Sequence, residues 1–225
     1  MGRGARYDGL ADWYDSEFDP FPLEGATWDA VVRLLGSGSG ALLDVGCGTG
    51  SYSAALAGLG WRVTGVDLSE DMLRRAHAKG VHAVHADAAS LPFDDGSFDA
   101  AVSTFTHTDL DDVGAVVGEV ARVLRAGAVF AYVGVHPCFV GPHSEYVAAV
   151  GVPILHPGWY RAAGVYAEAP GRSGKGLRAK LGEQWHLPLG LFLQTFLDAG
   201  LRLEYVEEPE QRDYPYMLAL RFRKP

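Results

Sequence analysis

Leu43-Asp44-Val45-Gly46-Cys47-Gly48-Thr49-Gly50 is the stretch from which the architecture of this chain can be read. An apolar run that ends in three alternating glycines predicts a buried strand turning sharply into a helix, because glycine lets the backbone turn tightly and lie close against a ligand. The plainer alternative is the same turn with nothing docked on it, and the strand context favours a docking site. The next apolar run, Arg62 to Val66, ends at Asp67. Its two carboxylate oxygens can accept both hydroxyls of a ribose, while Ser69 is the better cap for the helix that follows. A dinucleotide fingerprint would need a third glycine where Ser51 stands, and a phosphate loop would need Gly-Lys-Ser/Thr and a lysine near the turn. A small ligand that contains a nucleoside and lacks a pyrophosphate is the expectation.

Working outward, Ala41 to Val135 alternates short apolar runs with helical patterns, the signature of βαβ units and a parallel sheet. Strands are expected at Ala41 to Val45, Arg62 to Val66, Val81 to His85, Phe98 to Ser103 and Ala128 to Val135. Ser69 caps a helix with Glu70 and Asp71 in its first turn and Gly80 at its stop. Val113, Val116, Val117, Val120, Val123 and Leu124 share one face of a second helix that Asp111 or Asp112 can cap. From Val135 to about Pro188 the pattern breaks into a stretch rich in Pro, Gly, His and aromatics, too long for a plain connection. Its Gly171 to Gly176 portion is expected to be mobile. A helix from Leu189 to Ala199 and strands at Leu201 to Val206 and Tyr216 to Phe222 close the chain.

Composition narrows the classes of function. With 225 residues and 48% hydrophobic content, the chain can bury about 70% of its unfolded surface in one core. Its 19 Lys+Arg against 28 Asp+Glu give a net charge of −9, a field that repels nucleic-acid backbones and anionic membranes. Cys47 and Cys138 are far apart and carry no metal or disulfide spacing, which fits a reducing cytoplasm and no metal. Met1 to Arg6 has no apolar leader region, and no apolar run approaches the ~20 residues of a membrane span. The expected partners are a small-molecule acceptor and, at most, a second copy: monomer or homodimer, with neither nucleic acid nor membrane.

The quoted loop, Gly65 to Leu73 (GVDLSEDML), His85 to Ala100 (HADAASLPFDDGSFDA) and the Val123-Leu124-Arg125 turn together resemble the class I S-adenosylmethionine-dependent methyltransferases, in particular the ubiquinone and menaquinone methyltransferase group. The resemblance implies an α/β fold: a Rossmann-like, seven-stranded, mostly parallel sheet with helices on both faces, an antiparallel last strand, and a lid inserted after the fifth strand. It divides one domain into an N-terminal helical cap (1–40), a cofactor-binding core (41–135), a substrate lid (136–188) and a closing helix with two strands (189–225). By the same resemblance, Gly46, Gly48 and Gly50 cradle S-adenosylmethionine with Asp44, Cys47 and Thr104 beside them. Asp67 holds its ribose, Leu68 and Met72 flank the adenine, and Asp87 with Ala88 meets the adenine edge. Tyr14 matches a tyrosine that closes over the methionine end, although Trp13 and Tyr14 also suit a helix face packed on the core. Ala126 and Ala128 depart from the Pro and Gly usual before the fifth strand.

An acceptor belongs beyond the carboxyl ends of the fourth and fifth strands. His107, His136, Phe139, Tyr146, Trp159, Trp185 and His186 form the expected acceptor set. Removing a proton from a hydroxyl acceptor calls for a base near neutral pH, which histidine supplies. His186, in Trp185-His186-Leu187-Pro188-Leu189, ranks first and His107 second, with structural hydrogen bonding as each one's alternative. Arg172, Lys175, Arg178 and Lys180 can attract an acidic acceptor or form a solvated loop. Asp109, Asp111 and Asp112 suit helix capping better than a magnesium site. The leading expectation is an enzyme that methylates an oxygen or nitrogen. Against it stand a nicotinamide oxidoreductase, an S-adenosylmethionine-binding protein with another reaction, and an inactive binding partner.

Overall fold

Residues 5–18, 25–147, 152–170, 176–209 and 213–225 are described by the computed structural model. Strands β1 (Ala41–Val45), β2 (Arg62–Asp67), β3 (His82–His85), β4 (Phe98–Thr104), β5 (Leu124–Val135), β10 (Arg202–Glu207) and β11 (Met217–Arg223) form one sheet in the order β10-β11-β5-β4-β1-β2-β3. The pairings among β5, β4, β1, β2 and β3 are parallel, and β11 runs antiparallel to both of its neighbours. The sheet is therefore seven-stranded and mostly parallel with an antiparallel last strand, as expected. Strand order reverses at β1, so a crevice opens beyond the carboxyl ends of β1 and β4.

Helices cover both faces because the buried strands are apolar on both sides. On one face, Leu43, Val45, Phe130, Tyr132, Leu218 and Phe222 pack against α5 (Val113–Val123) and α7 (Leu189–Asp198). Phe196 of α7 stacks flat on Phe222 with ring centres 4.2 Å apart. On the other face, Leu42, Val102, Ala131 and Val133 meet Ala30, Val31 and Leu34 of α2 (Ala26–Leu35) and Leu56 of α3 (Ser51–Gly58). The valine face of α5 is buried as its period requires, and Asp112 caps that helix by accepting from the Ala115 amide at 2.9 Å. Ser69 caps α4 (Glu70–Ala78) through the Met72 amide.

The structure differs from the sequence pattern in two places. Strand β5 begins at Leu124 rather than Ala128: Leu124 pairs with Phe98 and is fully buried, and the register then shifts before Val129 meets Ala100. The stretch after β5 holds two short antiparallel pairs, β6 (Ser144–Val147) with β7 (Val152–Leu155) and β8 (Gly164–Tyr166) with β9 (Gln184–His186), and a helix α6 (Gly176–Leu181). Strands of three or four residues are too short to show alternation. The expectation for Gly171 to Gly176 falls almost wholly outside the described residues. Residues 5–18, with α1 (Ala11–Trp13) and a π-helical turn (Tyr14–Phe18), lie as a strap across the binding end of the sheet.

Gly50 sets how closely α3 approaches α4. It has φ +80°, and a Cβ there would stand 2.9 Å from Ala76 Cβ and 3.0 Å from its Cα. Gly50→Val should therefore lower unfolding free energy in urea by ~3 kcal/mol, from backbone strain and overpacking together. An unchanged urea midpoint would show that the two helices yield freely.

Candidate functional site

The loop after β1 is built by its backbone. Gly46, Cys47, Gly48, Thr49 and Gly50 turn the chain with φ +71°, +52° and +80° at the three glycines. The amides of Gly46 and Cys47 both donate to the Val66 carbonyl, at 2.8 and 3.0 Å, which pins the loop to β2. The next amide, Gly48 N–H, donates to Asp67 Oδ2, and Ser69 N–H donates to Oδ1, each at 2.9 Å. Burial pushes the Asp67 carboxyl above its ordinary range, and those two amides work against it by favouring the charged form. A side chain at Gly46 would strike Thr106, so glycine there lets the β4 loop close on the β1 loop.

Beside this loop lies an open cleft lined by Tyr14, Asp15, Gly46, Cys47, Gly48, Thr49, Ser51, Tyr52, Thr104 and Phe105. Three segments meet there: the strap, the β1 loop with the start of α3, and the end of β4. Phe105 has φ +56°, a left-handed conformation rare for a bulky residue, and its amide N–H donates a hydrogen bond to the Val133 carbonyl at 2.8 Å. Of the residues expected to touch a cofactor, Tyr14, Gly46, Cys47, Gly48 and Thr104 line this cleft. Asp44 lies beneath, 1% exposed, with Oδ2 accepting from Ser53 and Oδ1 without a partner among the described residues. Asp67 adjoins it through Gly48. Leu68 is exposed, Met72 is buried in the core, Asp87 is exposed and accepts from the Ala89 amide, and Ala88 packs against the helix-covered core. Asp15, Thr49, Ser51, Tyr52 and Phe105 were not foreseen. Tyr52 and Ser51 follow the glycine loop directly, whereas neither the fold of the strap nor the φ of Phe105 has a sequence signal.

The expected acceptor residues have different surroundings. His107 is buried between Tyr132 and Phe192, and the Tyr132 hydroxyl lies 2.5 Å from His107 Nδ1. Burial holds the Tyr132 phenol protonated. His186 is buried at the end of β9, donating Nε2–H to the Tyr160 carbonyl at 2.9 Å and packing near His143 and Gly141. His143 donates likewise to the Cys138 carbonyl. Burial lowers both of these imidazoles below the ordinary histidine value. His136 meets Phe139 and, at 3.2 Å, Glu208. Burial lowers its value against the pull of that carboxylate. Trp185 donates its backbone amide to Thr108 and packs on the core; Trp159 is half-buried. The side chains of Tyr146, Arg172, Lys175 and Arg178 lie outside the described residues. Lys180 sits over the Trp13 ring at 4.6 Å. Asp109 accepts from Tyr7 and Asp111 pairs with Arg6, so these acids serve the strap.

The lining suits a phosphate-free ligand with positive charge. It contains Asp15 and neither Lys nor Arg, Asp44 and Asp67 lie next to it, and around Gly48 a Cβ would meet nothing within 4 Å. S-adenosylmethionine, a sulfonium nucleoside, fits that set.

Residues 43–132 match a family described as a methyltransferase domain. Over 107 residues, 45% of this chain and 42% of the relative, the chain is 42% identical to a demethylmenaquinone methyltransferase of Clavibacter sepedonicus. Over 124 residues, half of this chain and 45% of the relative, it is 36% identical to an O-methyltransferase of Penicillium expansum. The chain thus spans less than half the length of these relatives. A solved S-adenosylmethionine-dependent methyltransferase from Mesorhizobium loti superposes with a TM-score of 0.75 at 26% identity, over 89% of this chain and 98% of that one.

Asp44 supplies a test that needs no ligand. Burial pushes its carboxyl up to about 6. An acid raised in the native state binds its proton more tightly there, so stability falls as pH rises from about 4 to 6 and stays low above. Asp44→Asn removes that loss. Urea unfolding should show the variant gaining on wild type between pH 4.5 and pH 8, by at most about 3 kcal/mol. A gap constant across that range would refute the burial penalty.

Proposed function

We propose that this chain, which belongs to the class I S-adenosylmethionine-dependent methyltransferases, transfers a methyl group to an oxygen or nitrogen of a small-molecule acceptor. The observation that carries this reading is the cleft itself, which brings the glycine loop and the end of β4 to one opening at the reversal of strand order. When bound, S-adenosylmethionine supplies a methyl group activated by its sulfonium charge. The residues of the chain orient the two reactants and exclude water, the main tasks in an in-line displacement at carbon.

In this reading Asp67 accepts the ribose hydroxyls while the Gly48 and Ser69 amides keep it aimed. Tyr14 and Asp15 cover the cleft from the strap, and Thr104 and Phe105 face the methyl group. The lid, 136–188, walls the acceptor side with Phe139, Trp159 and Trp185. His107 takes the acceptor's proton: it stands two positions after the lining residue Phe105, and Tyr132 can donate to Nδ1 or accept from it as the ring changes protonation. His186 holds the lid to Tyr160 instead, since its Nε2–H is committed to that carbonyl. No described helix is long and apolar enough to cross a membrane, and the described cysteines are unpaired. A cytoplasmic monomer or homodimer is consistent with both.

Calorimetry tests the donor site. S-adenosylhomocysteine should bind, and Asp67→Ala should weaken it by about 30-fold, on the order of 2 kcal/mol for a charged hydrogen-bonding group. Millimolar NAD should not displace it. Unchanged affinity in the variant would remove the ribose role from Asp67.

The proton-transfer assignment has its own test. With an acceptor in hand, His107→Gln should lower turnover by roughly 10²-fold and leave S-adenosylhomocysteine affinity intact, while Tyr132→Phe shifts the pH profile. The opposite ranking, with His186→Ala the slower enzyme and His107→Gln unaffected, would return the base to the lid.

A further inference from the structure

Lys79 caps the C-terminal end of α4, and its ammonium reaches three groups on the rim of the donor cleft at once. Asp15 Oδ1 lies at 2.5 Å, Ser51 Oγ at 3.0 Å and Thr49 Oγ1 at 3.1 Å. These three residues line the cleft; Lys79 stands just behind them. An ammonium has three N–H donors, and all three are used. Because each hydroxyl accepts from Lys79, each keeps its own proton to give. Burial works against the charge of Asp15, yet hydrogen bonds from Lys79 and Thr49 outweigh it and hold the carboxyl below its ordinary range. A carboxylate therefore already sits among an ammonium and two hydroxyls, on the wall of a cleft that otherwise lacks a cation.

That carboxylate belongs to the strap, which is tied to the core mainly by polar contacts. Arg6 reaches the Asp109 carbonyl and Asp111, Tyr7 donates to Asp109, Asp8 accepts from Ser69, the Gly9 amide donates to Asp71, and Asp12 pairs with Arg75. Contacts of this kind exchange readily with solvent or with a ligand of matching charge. The amino-acid end of S-adenosylmethionine carries one carboxylate, and the environment that Asp15 occupies is built for one.

We propose that Asp15 occupies the place of the donor's carboxylate: Lys79, Thr49 and Ser51 form the receptor for the amino-acid end of the cofactor, and the donor enters by displacing Asp15 from Lys79. This rests on the donor reading above and adds the group that recognises the donor's amino acid. The strap then acts as a built-in competitor, which a nucleoside lacking the amino acid does not have to displace.

The test compares two ligands on the full chain by calorimetry: S-adenosylhomocysteine, and 5′-methylthioadenosine, which keeps the nucleoside and sulfur and lacks the amino acid. Lys79→Met should weaken S-adenosylhomocysteine by about tenfold or more and change 5′-methylthioadenosine by less than about twofold, with Lys79→Arg recovering most of the loss. Asp15→Asn should tighten S-adenosylhomocysteine by about three- to tenfold and leave 5′-methylthioadenosine unchanged, because a competing conformation is removed. Equal responses of both ligands to Lys79→Met, or weaker S-adenosylhomocysteine binding in Asp15→Asn, would overturn the proposal while the donor reading stands. If wild type binds neither ligand, the donor reading falls and the proposal with it. Thermal unfolding of each variant confirms that it is folded, and Asp15→Asn and Lys79→Arg carry the test should Lys79→Met fail to fold.

Discussion

Asp67 joins three pieces of chain with one carboxylate. One oxygen accepts from Gly48 in the loop after β1 and the other from Ser69 at the start of α4, while Asp67 itself ends β2. Burial alone would drive that carboxyl toward its neutral form, and a neutral acid could not accept from both amides and still receive ligand hydroxyls on both oxygens. The two amides thus favour the charged form and fix its orientation beside the cleft. They also fix the glycine loop, whose first two amides are committed to Val66. Loop, strand end and helix start consequently behave as one rigid corner, against which the strap and the β4 loop are placed.

Above this corner the chain uses a different kind of cohesion. The sheet and its helices are held by buried aliphatic and aromatic side chains, with Phe192, Phe196 and Phe222 fully buried. The strap is held by carboxylates, guanidinium groups and hydroxyls near the surface. Apolar packing does not release on small changes of solvent or ligand, whereas exposed ion pairs are worth little each and are screened by salt. The division places the adaptable interactions at the rim of the cleft and the permanent ones beneath.

What the sequence discloses and what it hides follow the range of the interactions involved. The β1 turn, the Ser69 and Asp112 caps and the valine face of α5 are each decided within a few residues, by backbone freedom, a side-chain oxygen or a period of 3.6. They could be read directly. The place of Asp67 at the end of β2 could be read because the apolar run stops there. The partner of His186 could not, since its ring bonds a carbonyl 26 positions away, and the pairing of β8 with β9 that carries it there is too short to leave a pattern. Asp15 was missed for the same reason: its role depends on Lys79, 64 positions distant. Gly50 was read as part of the ligand cradle. In the fold its close approach is to Ala76, while the neighbouring Thr49 and Ser51 line the cleft.

Among the described residues, a cation–π contact joins the strap to the segment after β5: Lys180 of α6 rests on the ring of Trp13. A cation over an aromatic face contributes ~0.5–2 kcal/mol depending on how dry it is. The strap and the segment after β5 are therefore energetically coupled through this pair. Anything that orders one of these segments favours order in the other by up to the worth of that contact, and linkage requires the effect to be the same in both directions. The coupling is carried by two side chains far apart in sequence, and neither of them lines the cleft.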